Sequence, residues 1–234
     1  MTQINLPGQA HVADGPHDQS GMYLMHHAFR RDLTRFRDAV RLTPLEDRHT
    51  WRALAARWVR LAEVLHHHHT VEDDHMWPLV RRRVDERSDP GGREVLESMA
   101  AEHELLDPAL EACGRGLEAM AAAPSEDRRN ALDVHVSTTR TLLLDHLRHE
   151  ETEALPLLQR MLTVEDYAVA EEAAQKGYPV RMTVFLVPWV ADGVPPDIVR
   201  HTLGKAGPAY QLLLQLCRPF YARAERLAFA HIGS

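Results

Sequence analysis

The chain has 234 residues, of which 44% are hydrophobic and 26% charged, the balance of an ordinary globular protein. Its formal net charge of -7 argues against a nucleic-acid partner, and no apolar stretch approaches the ~20 residues that would span a bilayer. Two cysteines without CxxC spacing and an N-terminus without a secretory signal predict a cytoplasmic protein that binds neither nucleic acid nor membrane.

The chain begins with a polar stretch that contains two prolines and two glycines, so we expect residues 1–20 to be a flexible N-terminal segment. Apolar residues then recur with the three- and four-residue spacing of amphipathic helices, and strand signals are nearly absent. The first predicted helix follows Ser20, a good N-cap, and runs to about Leu42. The second begins near Pro44 and should be kinked or broken by Pro78.

An Asp-Pro-Gly-Gly sequence at 89–92 predicts a turn before the third helix, which ends ahead of Pro124. The fourth helix contains Pro156, which should act on it as Pro78 acts on the second. Four long amphipathic helices with short connections predict an all-α fold: an antiparallel up-down four-helix bundle over residues 21–161.

The sequence changes character beyond about Met161. Residues 163–166 resemble a capping box that opens a fifth helix, which should stop at Gly177. A final helix from about Ala209 to Phe229 is apolar enough to require a partner surface. We therefore predict that residues 162–234 form a helical C-terminal extension packed on the bundle.

Histidine interrupts the apolar stripe of each predicted bundle helix. The chain has sixteen histidines, and four of them fall in register with the core, one per helix: His26, His68, His103 and His146. Glutamate follows four residues after two of these, at Glu72 and Glu150, on the same helix face. Since a buried carboxylate is costly unless it is paired or bound to a metal, these six residues predict a metal site inside the bundle.

Nitrogen and oxygen ligands without thiolate suit iron, manganese or zinc. Two metals bridged by the carboxylates fit this donor set better than one. The sequence from His68 to Pro78 also matches the sequence from His146 to Pro156 position for position, with Glu72 opposite Glu150. Two similar helical hairpins would bring the two segments together about a pseudo-twofold axis, as a bridged pair of metals requires.

The other histidines are predicted to lie outside the donor set. Those at the edge of a stripe or off it are expected to support the ligands or to be solvated: His27, His66, His67, His69, His75 and His149. No role in the site is expected for a second group: His11, His17, His49, His201 and His231. The pattern leaves His135 undecided.

With these residues in place, the sequence resembles the hemerythrin-like family, also called the HHE cation-binding domain. The likeness rests on motifs in all four helices: His-His-Ala-Phe-Arg-Arg from His26, His-His-x-x-Glu-Asp-x-x-x-Trp-Pro from His68, Glu-His at 102–103, and His-Leu-x-His-Glu-Glu from His146. The extension is similar to that of longer bacterial members. The resemblance implies an oxo- or hydroxo-bridged pair of iron ions, with Glu72 and Glu150 as bridges and the four histidines as terminal ligands.

Two positions depart from the oxygen-carrying members of that family. Met99 stands where they have a further histidine, which would leave one metal with an additional open position. They also place the last carboxylate five residues after the histidine of the fourth helix, which would select Glu151; we favour Glu150 because it lies on the stripe and matches Glu72. The resemblance implies binding of, or reaction with, O2, H2O2 or NO, such as a catalase-like reaction. An O2 or NO sensor, and a noncatalytic iron-storage or structural bundle, are the alternatives.

Overall fold

The computed structural model describes residues 3–176 and 178–233, and its regular structure there is helical, which confirms the all-α prediction. In chain order the helices are α1 (Ser20–Leu42), α2 (Arg48–Val71), α3 (Trp77–Glu86), α4 (Pro90–Ala122), α5 (Glu126–His149), α6 (Leu155–Met161), α7 (Val164–Lys176), α8 (Val180–Ala191), α9 (Pro196–Ala206) and α10 (Pro208–Ala228). None of the helices within these described ranges combines the length and apolarity of a membrane span.

Four helical rods form the bundle. They are α1, α2 with α3, α4, and α5 with α6; α4 packs against α2 and α5, and α1 packs against α5. The connections between them are short, at 43–47, 87–89 and 123–125, so consecutive rods run antiparallel. Large aromatic side chains fill the core at the end of the bundle near these first and third connections, where the ring of Phe36 meets that of Trp58 edge to face at 4.8 Å.

The two prolines break the helices as predicted, and a π-helical turn lies at each break. One π-helical turn, Glu72–Met76, joins α2 to α3, and a second, Glu150–Ala154, joins α5 to α6. Pro78 and Pro156 are the second residues of the helices that follow these turns. A proline there cannot donate to the preceding turn, and the wider turn accommodates the mismatch. Both π turns begin at a glutamate of the predicted site.

Two predicted boundaries were wrong. Ser20 is not the N-cap of the first helix: it lies inside α1, and its hydroxyl donates to Asp18 at 2.6 Å. The expected turn at 89–92 is already the first turn of α4, because the Asp89 carboxylate accepts a hydrogen bond from the Gly92 amide at 3.1 Å and caps the helix. The chain reverses just before, at Ser88, whose φ is +52°.

The N-terminal segment lies against the bundle, although its polar composition had suggested a flexible segment. Leu6 and Ala13 are buried in the core. The amide of Ala10 donates to Glu151 at 2.7 Å, and the Gln159 side chain of α6 donates to the carbonyl of His17 at 2.8 Å. These contacts tie the segment to the end of the bundle that carries the predicted site.

The C-terminal extension packs on the side of the bundle formed by α1 and α2. Helix α8 contacts both of these helices, and α10 contacts α2 and α8. Trp189 of α8 meets Phe29 of α1 at a ring distance of 5.1 Å, and Phe229 meets Phe36 at 5.2 Å. The predicted capping box is confirmed, since Thr163 and the residue three positions later exchange hydrogen bonds. The predicted stop at Gly177 lies outside the described residues.

A buried ionic network fastens the extension to the bundle. Arg57 of α2 pairs with Asp32 of α1 and with Glu225 of α10. The indole nitrogen of Trp189 donates to the same Asp32 carboxylate at 2.8 Å, and Arg31 binds its other oxygen at 2.9 Å. Burial would raise the pKa of Asp32, but the two guanidinium groups outweigh it and hold that pKa below its ordinary value.

Replacing Arg57 with methionine should destabilise the protein by about 3 kcal/mol, because removing one partner of a buried ion pair leaves the other charge uncompensated. Arg31 still pairs with Asp32, so we expect the lower end of the usual cost. For a chain of this size the midpoint of thermal unfolding should fall by about 6–12 °C. The control is Arg60→Met, since Arg60 pairs with Glu63 on the exposed surface of the same helix. Equal midpoints for the two variants would contradict the account of the network.

Candidate metal centre

The structure brings all six predicted site residues together and adds a seventh, His69. Two groups can be distinguished, and within each the potential ligand atoms lie within 4.8 Å of one another. All seven side chains are buried. The first group comprises His26, His68 and Glu150, and the second comprises His69, Glu72, His103 and His146.

Glu72, the first residue of its π turn, lies between the two groups. Its Oε1 is 3.1 Å from Nε2 of His68, and its Oε2 is 3.6 Å from Nε2 of His103. Neither oxygen makes a hydrogen bond within the described chain. One carboxylate thus faces a histidine of each group, as a bridging ligand must.

Glu150 holds the equivalent place at the start of the other π turn. Its Oε2 lies 3.1 Å from Nε2 of His26 and 3.8 Å from Nε2 of His146, so it also faces both groups. Glu151, the alternative candidate, points elsewhere: it accepts hydrogen bonds from both terminal nitrogens of Arg30, at 2.8 and 2.9 Å, and lies 2.9 Å from Nδ1 of His26. The geometry therefore favours Glu150 as the residue that faces the centre.

The inward-facing atoms have no hydrogen-bond partners in the described part of the chain. A buried polar atom without a partner costs about 1–3 kcal/mol, so many of them at one point require a reason. Bound cations would satisfy all of them at once, and nitrogen with carboxylate oxygen is a donor set that suits iron, manganese or zinc. The atoms are Nε2 of His26, His68, His69, His103 and His146, and both carboxylate oxygens of Glu72 and Glu150.

Burial disfavours the charged form of three of the five imidazoles in the centre. Burial lowers the pKa of His68 to about 3, and burial lowers the pKa values of His69 and His146 as well. Burial raises the pKa of Glu72, and the nearby charge of Glu150 raises it further. Burial also raises the pKa of Glu150, but the facing His26 outweighs it and lowers that pKa to about 2. Neutral imidazole is the form that binds a metal.

Carboxylates outside the centre orient three of the histidines. A carboxylate on one ring nitrogen fixes the tautomer and leaves the other nitrogen free for a metal. Asp73 and Glu151 each follow an inward-facing glutamate, so each π turn supplies one carboxylate to the centre and a second that orients a histidine of the centre. The contacts are those of Nδ1 of His26 with Glu151 at 2.9 Å, His103 with Asp73 at 3.0 Å, and His146 with Glu102 at 2.8 Å.

The expectation that His69 would be solvated was wrong, and its position makes it a further candidate ligand. Its side chain is 4% exposed, and its ring stacks on that of His103 at 4.0 Å. The sequence prediction assumed a narrow apolar stripe with one buried residue per helical turn. The buried face of a bundle helix is at least about 100° wide and can hold two adjacent residues. The internal repeat gave no help, because Leu147 occupies the corresponding position. The run of four histidines from His66 was the available signal.

The position of His69 also bears on Met99, which was expected to leave one metal with an additional open position. Met99 is fully buried and offers no imidazole, but the group that contains His103 already has three, from His69, His103 and His146. The group with His26 and His68 has two. The smaller donor set is therefore at the His26 side of the centre and not, as the sequence had suggested, beside Met99.

The remaining histidines lie outside the two groups. His149 binds Glu102 at 2.7 Å, and the ring of His67 packs on Tyr178. His17 is buried, but its ring nitrogen bonds to the Leu162 carbonyl at 3.0 Å. His27 is half-buried and lies 3.4 Å from the carbonyl of Pro7. The other histidines have exposed side chains: His11, His49, His66, His75, His135, His201 and His231.

Comparison with known proteins agrees with this arrangement. The family model described as hemerythrin HHE cation binding domain matches residues 18–158, which is more than half of the chain and includes every residue of both groups. Searches of curated proteins and of solved structures found no significant match.

Proposed function

The chain belongs to the hemerythrin HHE cation-binding domain family, and from this premise we propose that it is a non-haem di-iron protein that binds or reacts with O2, peroxide or NO. Five histidines and two glutamates would hold the two ions, with Glu72 and Glu150 shared between them. When bound, such an iron pair supplies electrons and open coordination positions for these small molecules.

The observation that carries the proposal is the position of the two glutamates. Each carboxylate lies between histidines of both groups, and none of their four oxygens has a hydrogen-bond partner in the described chain. A single cation would satisfy one group and leave the other with unpaired buried atoms. Two cations bridged by the carboxylates account for both groups.

The chain itself controls the surroundings of the centre. Apolar side chains of the core exclude water on the side of α4 and α5, where Met99, Leu106 and Leu143 are fully or almost fully buried. Arg30 holds Glu151, and Glu151 holds His26, so the ring that belongs to the smaller group is fixed by a chain of hydrogen bonds. The smaller donor set of that group supports a position for an added ligand.

The test is to mix the iron-loaded, chemically reduced protein with O2, H2O2 and NO in separate stopped-flow experiments. We expect a change in near-ultraviolet and visible absorption with at least one of them, saturating with reagent concentration. The same protein stripped of metal by a chelator is the control. Evolution of O2 from H2O2 would identify a catalase-like reaction, and a stable spectrum with O2 or NO would identify binding. No change with any reagent would contradict the proposal and favour storage.

A further inference from the structure

A cavity of about 300 Å³ lies between the bundle and the C-terminal extension. One side is formed by α1, the end of α2 and its π turn, and the other by α7, α8 and α9. Sites for small organic molecules have volumes of roughly 300–1,000 Å³, so the cavity can hold more than a diatomic gas. Because half of its wall comes from residues 162–234, the bundle alone would not enclose it.

The wall of the cavity is mostly apolar. Met22 and Met25 of α1 face Leu186 and Val187 of α8 across it. Water finds few hydrogen-bond partners in such a space, and its displacement by an apolar molecule is favourable. Methionine side chains are flexible and polarisable, which lets one wall adapt to the shape of an occupant.

The two ends of the cavity differ in polarity. The inner end is formed by His68 and Glu72 of the centre, and Glu72 has no hydrogen-bond partner in the described chain. Tyr178 also lines the cavity, and its ring packs against that of His67 at 4.2 Å. The outer end has an ion pair between Lys205 and Asp18, in which the lysine is exposed. The cavity therefore leads from the charged surface to the centre.

We propose that this cavity binds an uncharged aliphatic molecule that carries a hydroxyl or hydroperoxyl group. The aliphatic body lies between α1 and α8, and its polar group lies at the inner end, next to the proposed metal centre. This inference rests on the proposed function only in placing the ligand beside a reactive centre. Its test measures binding, so a protein without reactivity towards O2, H2O2 or NO could still satisfy it.

The test is isothermal titration calorimetry of the full-length, metal-loaded protein with 1-octanol and with 1-butanol. We expect one saturable site for 1-octanol. Affinity should increase by about fourfold for each added CH2, the factor expected when one methylene leaves water. Absence of saturable binding of 1-octanol would overturn the proposal.

Variants on opposite walls locate the site. Leu186→Trp and Met22→Trp each place a larger side chain in the cavity and should weaken 1-octanol binding at least tenfold. The matched control is Val134→Trp, because Val134 is exposed on α5 and does not line the cavity. Unchanged affinity in a folded lining variant, judged by its circular dichroism and metal content, would assign the binding to another surface and overturn the proposal. The two lining variants are independent, so the test remains decisive if one of them fails to fold.

Discussion

Replacing His69 with leucine should weaken the binding of one iron ion, so that the purified protein holds fewer than two ions per chain, because metal affinity depends on the number and geometry of the ligands. His69 is one of three imidazoles in its group, and its ring stacks directly on that of His103. Leucine is a suitable replacement, since Leu147 occupies the corresponding position of the internal repeat and is fully buried there. Metal analysis of the variant after purification gives the result.

The control is His66→Leu, in the same run of histidines but with an exposed side chain. It should keep both ions. Met99 offers a rescue, because a histidine there would lie one helical turn from His103 on the same face of α4. We expect His69→Leu with Met99→His to regain the second ion. Two ions in the single variant His69→Leu would remove His69 from the ligand set.

The substitutions Glu150→Gln and Glu151→Gln should have different effects, although the two residues are adjacent and both fully buried. Glutamine keeps the size of the side chain and removes its charge. Glu150→Gln removes a carboxylate that faces both groups, so the content of both ions should fall. Glu151→Gln leaves the donor set complete but weakens the hydrogen bonds that link Arg30 to His26 through residue 151. We therefore expect metal affinity to decrease by about 10–100-fold with the number of bound ions unchanged.

A chelator competition titration separates these effects, since it reports the number of ions and their affinity in one experiment. The reverse pattern, in which Glu151→Gln loses the ions and Glu150→Gln keeps them, would show that the five-residue spacing applies here. It would also mean that the side chain of Glu151 turns inwards when metal is bound.

Most of the fold could be predicted from the sequence because its determinants are local. The helical period located the four rods, and the two prolines marked the points where two of them change geometry. The same period placed His68 and Glu72 on one face, and the internal repeat placed His146 and Glu150 beside them. A pattern of buried polar residues at equal depth has few structural explanations, so these residues indicated a metal centre.

The rest depends on contacts between distant segments, which periodicity does not encode. His69 is buried because α2 presents a broad face to α4 and α5, and the width of that face is a property of the packed bundle. The buried ionic network joins three helices through Asp32, Arg57 and Glu225. In the sequence, each of these residues alone resembles an ordinary surface charge. The cavity arises in the same way, from the docking of α8 on α1 and α2.

We propose that five histidines and two glutamates hold two iron ions. The metal content of the full-length protein, purified from cells grown with ample iron, tests this directly when it is measured by mass spectrometry and divided by the protein concentration. We expect about two irons per chain, as the two groups of ligands require. A reproducible single zinc ion with no iron would contradict it.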